Sequence, residues 1–216
     1  MRIAVLGTGD VGRRIASKLV ELGHAVCMGS RSADHEGGLA WVADTGGQAS
    51  LATFADAAKH GEMVFNCASG QHSLAILSSA APHLVGKVLV DVANPLDFSE
   101  GFPPKLSVCN DDSLAEQIQR AHPEAKVVKA LNTLANPIMV APRSLPGSHV
   151  TLVCGNDEGA KARVAELLQS FGWKRDEILD LGDVTCARGL EMWLPLWVRL
   201  YAKLGTGDFN LALVRK

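Results

Sequence analysis

Three glycines near the start of the chain restrict its fold more than any other feature. Gly7, Gly9 and Gly12 form G-x-G-x-x-G. Glycines are common, so the spacing alone carries little, and the flanking residues carry the rest. The run RIAVLG before it is almost wholly apolar, as a strand covered on both faces is. The segment after it, DVGRRIASKLVELG, brings Ile15, Leu19 and Leu22 round at helical spacing, and Gly23 suits the helix end. A buried strand, a glycine turn and a helix in this order open a dinucleotide-binding unit. Gly7 then permits the tight turn, Gly9 lets a pyrophosphate approach the backbone, and Gly12 lets helix and strand pack closely. Thr8, Asp10 and Val11 supply the remaining loop and first-turn backbone, whose N–H groups and helix dipole attract phosphate.

About 20 residues further on, such units often carry an acidic residue for the ribose hydroxyls of NAD. Here the window is CMGSRS, with Ser30, Arg31 and Ser32 in that place. A carboxylate would repel a 2′-phosphate. Arg31 offers a planar fork of donors, and the serine hydroxyls can complete the hydrogen bonding. Charged hydrogen bonds contribute about 1.5–3 kcal/mol each, so losing two of them with NADH predicts a preference of order 100-fold for NADP(H). The alternative at this point is a solvated Arg31 that chooses neither cofactor.

Beyond this unit, β-rich runs alternate with helical patterns. EMVFNCAS, KVLVDVAN, AKVVKAL, SHVTLVCG and EILDLG read as strands, and HAVCMG as the second strand. QHSLAILSSAAPHL, DSLAEQIQRAHP and DEGAKARVAELLQSFG read as helices. Between Ser32 and Gly61 the signal weakens to two short helices, HEGGLAWVADTGG and LATFADAAKHG. Pro95 to Asn110 reads as a long loop, and RGLEMWLPLWVRLYAKLG as an apolar helix interrupted by Pro195. The pattern predicts an α/β fold of the Rossmann type, with a doubly wound, mainly parallel sheet and a short C-terminal helical extension. Residues 1–182 form the cofactor-binding domain, and residues 183–216 pack on it. The ligand belongs at the carboxyl ends of the strands.

Those ends supply further candidates. Ala68 and Ser69 are small enough to let a cofactor lie against the backbone, and Gln71 and His72 begin the next helix. Asn94, before Pro95, offers a donor and an acceptor to the nicotinamide or substrate side, or belongs to a plain turn. Asn132 and Thr133 touch the carboxamide or the acceptor, or cap a helix. No paired general acids, G-x-S-x-G or metal-ligand cluster stands out, and the seven histidines are scattered. A dehydrogenase of alcohols or hydroxy acids needs a proton donor at the carbonyl, whereas a flavin-like acceptor depends on one less.

Composition narrows the rest. A net charge of −2 gives no electrostatic case for nucleic acid or an anionic membrane. No run approaches the ~18 apolar residues of a membrane span, and the first residues do not resemble a signal peptide. The five cysteines are widely spaced without C-x-x-C, which argues against a disulfide framework or zinc site and fits the cytoplasm. Cys27, Cys67 and Cys154 lie in apolar runs and are expected in the core. Trp193, Trp197, Leu200, Tyr201 and Leu204 recur at helical spacing. Core packing, a homodimer contact and a wall of the substrate cleft, in that order, account for such a stripe.

Four stretches carry a resemblance: MRIAVLGTGDVGRRIASKLVELGH with GSRS, DVANPL, VVKALNT, and DLGDVTCARGLEMWLPL. Together they resemble the NADPH-dependent coenzyme F420 reductases, also called F420-dependent NADP oxidoreductases, over nearly the whole chain. The resemblance implies hydride transfer between NADP(H) and a deazaflavin, with the two rings stacked in a cleft. It implies that Gly7, Thr8, Gly9 and Gly12 hold the pyrophosphate, and Ser30 and Arg31 the 2′-phosphate. Ala68, Ser69, Asn132 and Thr133 would lie near the nicotinamide, with the C-terminal segment closing over the site. The cytosolic domain of eukaryotic metalloreductases looks similar, without its membrane spans here. The small-molecule acceptor is coenzyme F420 or another oxidant such as a flavin, a quinone or a metal chelate. A non-catalytic NADPH-binding sensor is the competing expectation.

Overall fold

The structure, a computed structural model, describes residues 1–214. Its centre is an eight-stranded sheet. The strands are β1 (Arg2–Leu6), β2 (Ala25–Ser30), β3 (Ala49–Thr53), β4 (Met63–Asn66), β5 (Val88–Asp91), β8 (Lys126–Ala130), β9 (Thr151–Gly155) and β10 (Ile178–Asp180). Two-residue strands β6 (Leu96–Asp97) and β7 (Lys105–Leu106) pair separately as a small hairpin. The helices are α1 (Asp10–Glu21), α2 (Glu36–Thr45), α3 (Phe54–His60), α4 (Gly70–Ser79), α5 (Leu114–Ala121), α6 (Asn136–Val140), α7 (Glu158–Ser170), α8 (Ala187–Met192) and α9 (Leu194–Leu204).

The sheet order is β10-β9-β8-β5-β4-β1-β2-β3. From β8 to β3 all neighbours are parallel, while β9 runs antiparallel to β8 and β10 parallel to β9. Strand order therefore reverses between β1 and β4, where a crevice opens beyond the carboxyl ends. The α/β class and the mainly parallel sheet agree with the sequence.

Alternation along the strands divides the apolar residues between the two faces. Ile3, Val5, Val26, Met28 and Phe65 pack with Ile15 and Leu19 of α1. Ala4, Leu6, Val64, Leu89 and Val127 pack with Ala57 of α3, Leu77 of α4 and Ile118 of α5. A smaller cluster, in which Ala115, Cys154, Val184, Ala187 and Leu190 meet, joins α8 to α5 and β9.

The segment LATFADAAKHG is not one helix. Residues 49–53 form edge strand β3, and α3 starts only at Phe54. Thr53 ends the strand and caps the helix, its hydroxyl accepting from Asp56 N at 3.2 Å. α6 was likewise absent from the sequence pattern. Gly23, just past α1, is left-handed (φ 82°), as its place after the helix requires. The C-terminal helix does divide at Pro195, which occupies the first turn of α9.

The apolar stripe of α9 is shifted from the expected one. Leu194 and Val198 are buried, whereas Trp193 and Trp197 are half-buried and Leu204 is exposed. Cys27 and Cys154 are buried as expected, and Cys67, half-buried, packs against the core beneath the glycine turn. Of the 183–216 extension, residues 215 and 216 lie outside the described residues. Among the described residues no helix is long and apolar enough to cross a membrane.

Candidate functional site

The candidate cofactor-binding residues fall along one edge, at the carboxyl ends of β1, β2, β4, β5 and β8 or in the first turn of α1. The glycine turn is fixed by backbone contact. Gly7 is left-handed (φ 124°), and a Cβ there would lie 2.7 Å from Cys67 O. A Cβ on Gly12 would lie 2.2 Å from Gly7 O, so helix and turn touch. Gly9 differs: its Cβ would meet no atom within 4 Å. The protein needs no glycine at position 9 for its own packing, so the space in front of it is available to a ligand. Arg13 Nε donates to Thr8 O at 2.7 Å and steadies the turn from the first coil of α1.

Beside it, Ser30 ends β2 as a buried residue. Its hydroxyl is already used within the turn, contacting Ser32 O and accepting from Ser32 N at 3.3 Å. Arg31 and Ser32 are exposed, and among the described residues Arg31 forms no ion pair. The nearest carboxylate in sequence, Asp34, hydrogen-bonds the Ser32 side chain, which holds its carboxyl below the usual range.

At the other end of the edge, two amides interlock. Asn94 Nδ2 donates to Asn132 O at 2.9 Å, and Asn132 Nδ2 donates to Asn94 Oδ1 at 2.9 Å and to Leu190 O at 3.1 Å. Asn132 Oδ1 is buried without a partner among the described residues. Leu131, just before it, is left-handed (φ 63°), a strain of about 1–3 kcal/mol for a non-glycine residue. Thr133 presents its carbonyl to Trp193 Nε1 at 3.0 Å. Ala68 and Ser69 lie between the two ends, leading into α4. Gly70, which sequence reasoning passed over, is essential to that junction, since a Cβ there would lie 2.0 Å from Asn94 O.

Asn94 and Asn132 open into a cavity of about 470 Å³, whose wall also includes Val11, Leu134, Met139 and Leu194. Trp197 and Tyr201 stack at 5.5 Å on its rim, and the Trp197 Nε1 donor is buried without a partner among the described residues. Tyr201 and Asp208 are the ionisable side chains of its lining. Asp208 accepts from Thr206 Oγ1 at 2.9 Å. The lining is thus mainly apolar and aromatic, with polar groups from Asn94, Asn132, Asn136, Tyr201 and Asp208. Such a wall can orient a planar ring, and it lacks a histidine or lysine for general acid catalysis. Among the described residues no cluster of metal-ligating side chains occurs.

Beneath the cavity lies an ion cluster that the sequence analysis missed. Lys129 Nζ sits 2.8 Å from Asp91 Oδ2 and 2.8 Å from Glu191 Oε1, and all three side chains are almost fully buried. Burial opposes the lysine charge, but the two carboxylates outweigh it and hold its pKa above the ordinary value. Burial likewise pushes the Glu191 carboxyl up, against the pull of Lys129. A lysine and an aspartate inside apolar strand runs were the available signal, because buried charges require partners.

Comparison with known proteins gives a consistent picture. The profile of the family described as NADP oxidoreductase, coenzyme F420-dependent, matches residues 2–95. An F420-dependent NADP reductase of Methanocaldococcus jannaschii is 31% identical over 219 residues, covering 96% of this chain and 96% of that protein. A solved structure of a protein from Arthrobacter sp. FB24 is 50% identical, covers 100% of both chains and superposes with a TM-score of 0.93. The metalloreductase STEAP3 of Rattus norvegicus is 31% identical over 91% of this chain, which spans 38% of that protein's length.

Proposed function

The chain belongs to the coenzyme F420-dependent NADP oxidoreductase family, and we propose from this membership that its acceptor is a deazaflavin of the F420 type. It is an NADP(H)-dependent oxidoreductase. NADPH, when bound, supplies the hydride. The residues around the crevice supply position.

The open space before Gly9 accommodates a pyrophosphate, with N–H groups of Gly9 to Gly12 and the α1 dipole facing it. Thr8, Asp10 and Val11 complete that cradle. Arg31 and Ser32 take the 2′-phosphate, and Ser30 holds the turn that presents them. Ala68 and Ser69 let the ribose and nicotinamide pass close to the backbone. The observation that carries the reading is the unpartnered Oδ1 of Asn132, an acceptor suited to a carboxamide NH2. Asn94 locks that amide, and Thr133 anchors Trp193 of the overlying segment.

The acceptor ring then lies against Trp197 and Tyr201, where Trp197 Nε1 can donate to a ring carbonyl or nitrogen. Alignment of two rings and exclusion of water are what this wall contributes. Residues 1–182 act as the NADP-binding domain, with the described part of the 183–216 extension packed on it and completing the acceptor side. A cytoplasmic homodimer fits the free cysteines and the exposed Leu196 and Leu204 of α9.

Stopped-flow mixing of the NADPH-loaded protein with coenzyme F420, FMN, a quinone and a ferric chelate tests the reading. Rapid oxidation by F420 is expected. Oxidation only by another acceptor would replace the deazaflavin, and NADPH that persists with all four would favour a non-catalytic sensor.

A further inference from the structure

The ion cluster beneath the cavity connects to both clamps on Asn132. Lys129 donates to Ala93 O, the residue before Asn94, and pairs with Glu191, the residue after Leu190. Asn94 Oδ1 and Leu190 O are the two acceptors that hold the Asn132 amide nitrogen. One lysine thus fixes the neighbours of both groups that decide which way this amide faces. With both amide hydrogens engaged, the oxygen is left as the buried, unpartnered atom of an amide on the cavity wall. A flipped amide would set its oxygen against Leu190 O and Asn94 Oδ1, an unfavourable contact in a buried site.

Glu191 is itself held from another side. Its Oε2 accepts from Leu114 N at 2.8 Å and its Oε1 from Ala115 N at 3.1 Å, at the start of α5. Asp91 accepts from Asn66 Nδ2 at 2.8 Å. The cluster therefore ties β4, β5, β8, α5 and α8 to a single point. Packed apolar side chains of similar volume often stabilise a fold as well as a buried ion pair does. The ion cluster joins α8 to the sheet through Glu191 and Lys129.

We propose that Lys129 and Glu191 are positioning residues for the nicotinamide half of the cofactor, acting through Leu190 O and Asn94 on the Asn132 amide. This rests on the reading that Asn132 meets the carboxamide, and the test separates the two.

Dissociation constants of NADP⁺ and of adenosine 2′,5′-bisphosphate, which lacks the nicotinamide half, are measured for wild type, Glu191→Gln, Lys129→Met and Asn132→Ala. The Glu191 and Lys129 variants should bind NADP⁺ about 10-fold more weakly and the bisphosphate as before. In the Asn132→Ala background, Glu191→Gln should add less than twofold. Equal weakening of both ligands, or none, in the Glu191 and Lys129 variants would overturn the positioning role. An Asn132→Ala protein with wild-type affinity for NADP⁺ would overturn the carboxamide reading instead, and the positioning role with it. Glu191→Asp, which keeps the charge and shortens the arm, serves where the other variants do not fold. It should show the same selective loss.

Discussion

Gly12 stands directly against Gly7: a methyl group on Gly12 would lie 2.2 Å from the Gly7 carbonyl oxygen. No such neighbour faces Gly9. The two glycines of one motif therefore answer to different demands, one to the protein and one to the ligand. Gly12→Ala should lower the thermal midpoint by several degrees or prevent folding, as overpacking by ~1–3 kcal/mol does. Gly9→Ala should fold nearly as well as wild type and lose at least about 10-fold in NADPH affinity, because a methyl group displaces the phosphate. Calorimetry with NADPH titration checks both, and a Gly9→Ala protein of normal affinity would exclude the loop as the phosphate cradle.

Arg31 has no carboxylate partner among the described residues, so removing it leaves no buried charge behind. Arg31→Ala should reduce the preference for NADPH over NADH by about 10- to 100-fold, chiefly through NADPH. Fluorescence titration with both nucleotides reads the ratio. A wild-type protein that binds the two equally would end the 2′-phosphate assignment.

Trp197 lines the cavity and carries a buried N–H that has no partner among the described residues. Trp197→Phe keeps most of the ring and removes the donor. The acceptor KM should rise by about 3- to 10-fold, the value of one hydrogen bond of ~0.5–1.5 kcal/mol, while NADPH affinity stays within twofold. Steady-state kinetics against F420 at saturating NADPH measures it. A KM unchanged by the substitution would place the acceptor elsewhere.

Acid should loosen the attachment of α8. Arg188 hydrogen-bonds Glu116 at 2.9 and 2.6 Å, and its guanidinium holds the Glu116 carboxyl below the ordinary 4.5. Arg120 does the same for Asp112, whose pKa falls from 3.8 to about 2. Carboxyls depressed in the folded state contribute stability that is complete above their unfolded values and lost as pH falls through the folded ones. Urea midpoints should therefore decline from about pH 4.5 to pH 2. The Glu116→Gln protein should begin lower and fall less steeply. A parallel decline in both would assign the acid sensitivity to other groups.

Much of this architecture is legible in the residues. The first strand, the glycine turn and α1 can be read because burial on both faces, tight turning and helical periodicity each leave a separate mark. The candidate residues at strand ends could be found for the same reason, since parallel strands bring their carboxyl ends to one edge. β3 escapes because Ala49–Thr53 is a half-buried edge strand, paired only with β2, and its alanines suit a helix equally well. The direction of β9 escapes because an apolar strand reads alike in either sense. Asp91 and Lys129 were visible as charges in apolar runs, but only the fold brings Glu191 to them. The shift of the α9 stripe to Leu194 and Val198 follows from how the helix leaves Pro195, which local periodicity does not determine.

The order of elements along the chain also sets when each half of the crevice is synthesised. The strand turns and loops expected to grip the adenosine half have all been synthesised by residue 70, while Leu190, Glu191, Trp197 and Tyr201 come at the end of a path that first runs away from that edge along β9 and β10. The residues assigned to the nucleotide therefore leave the ribosome well before those assigned to the reactive ring. Only a fully synthesised chain therefore carries every residue of the proposed site.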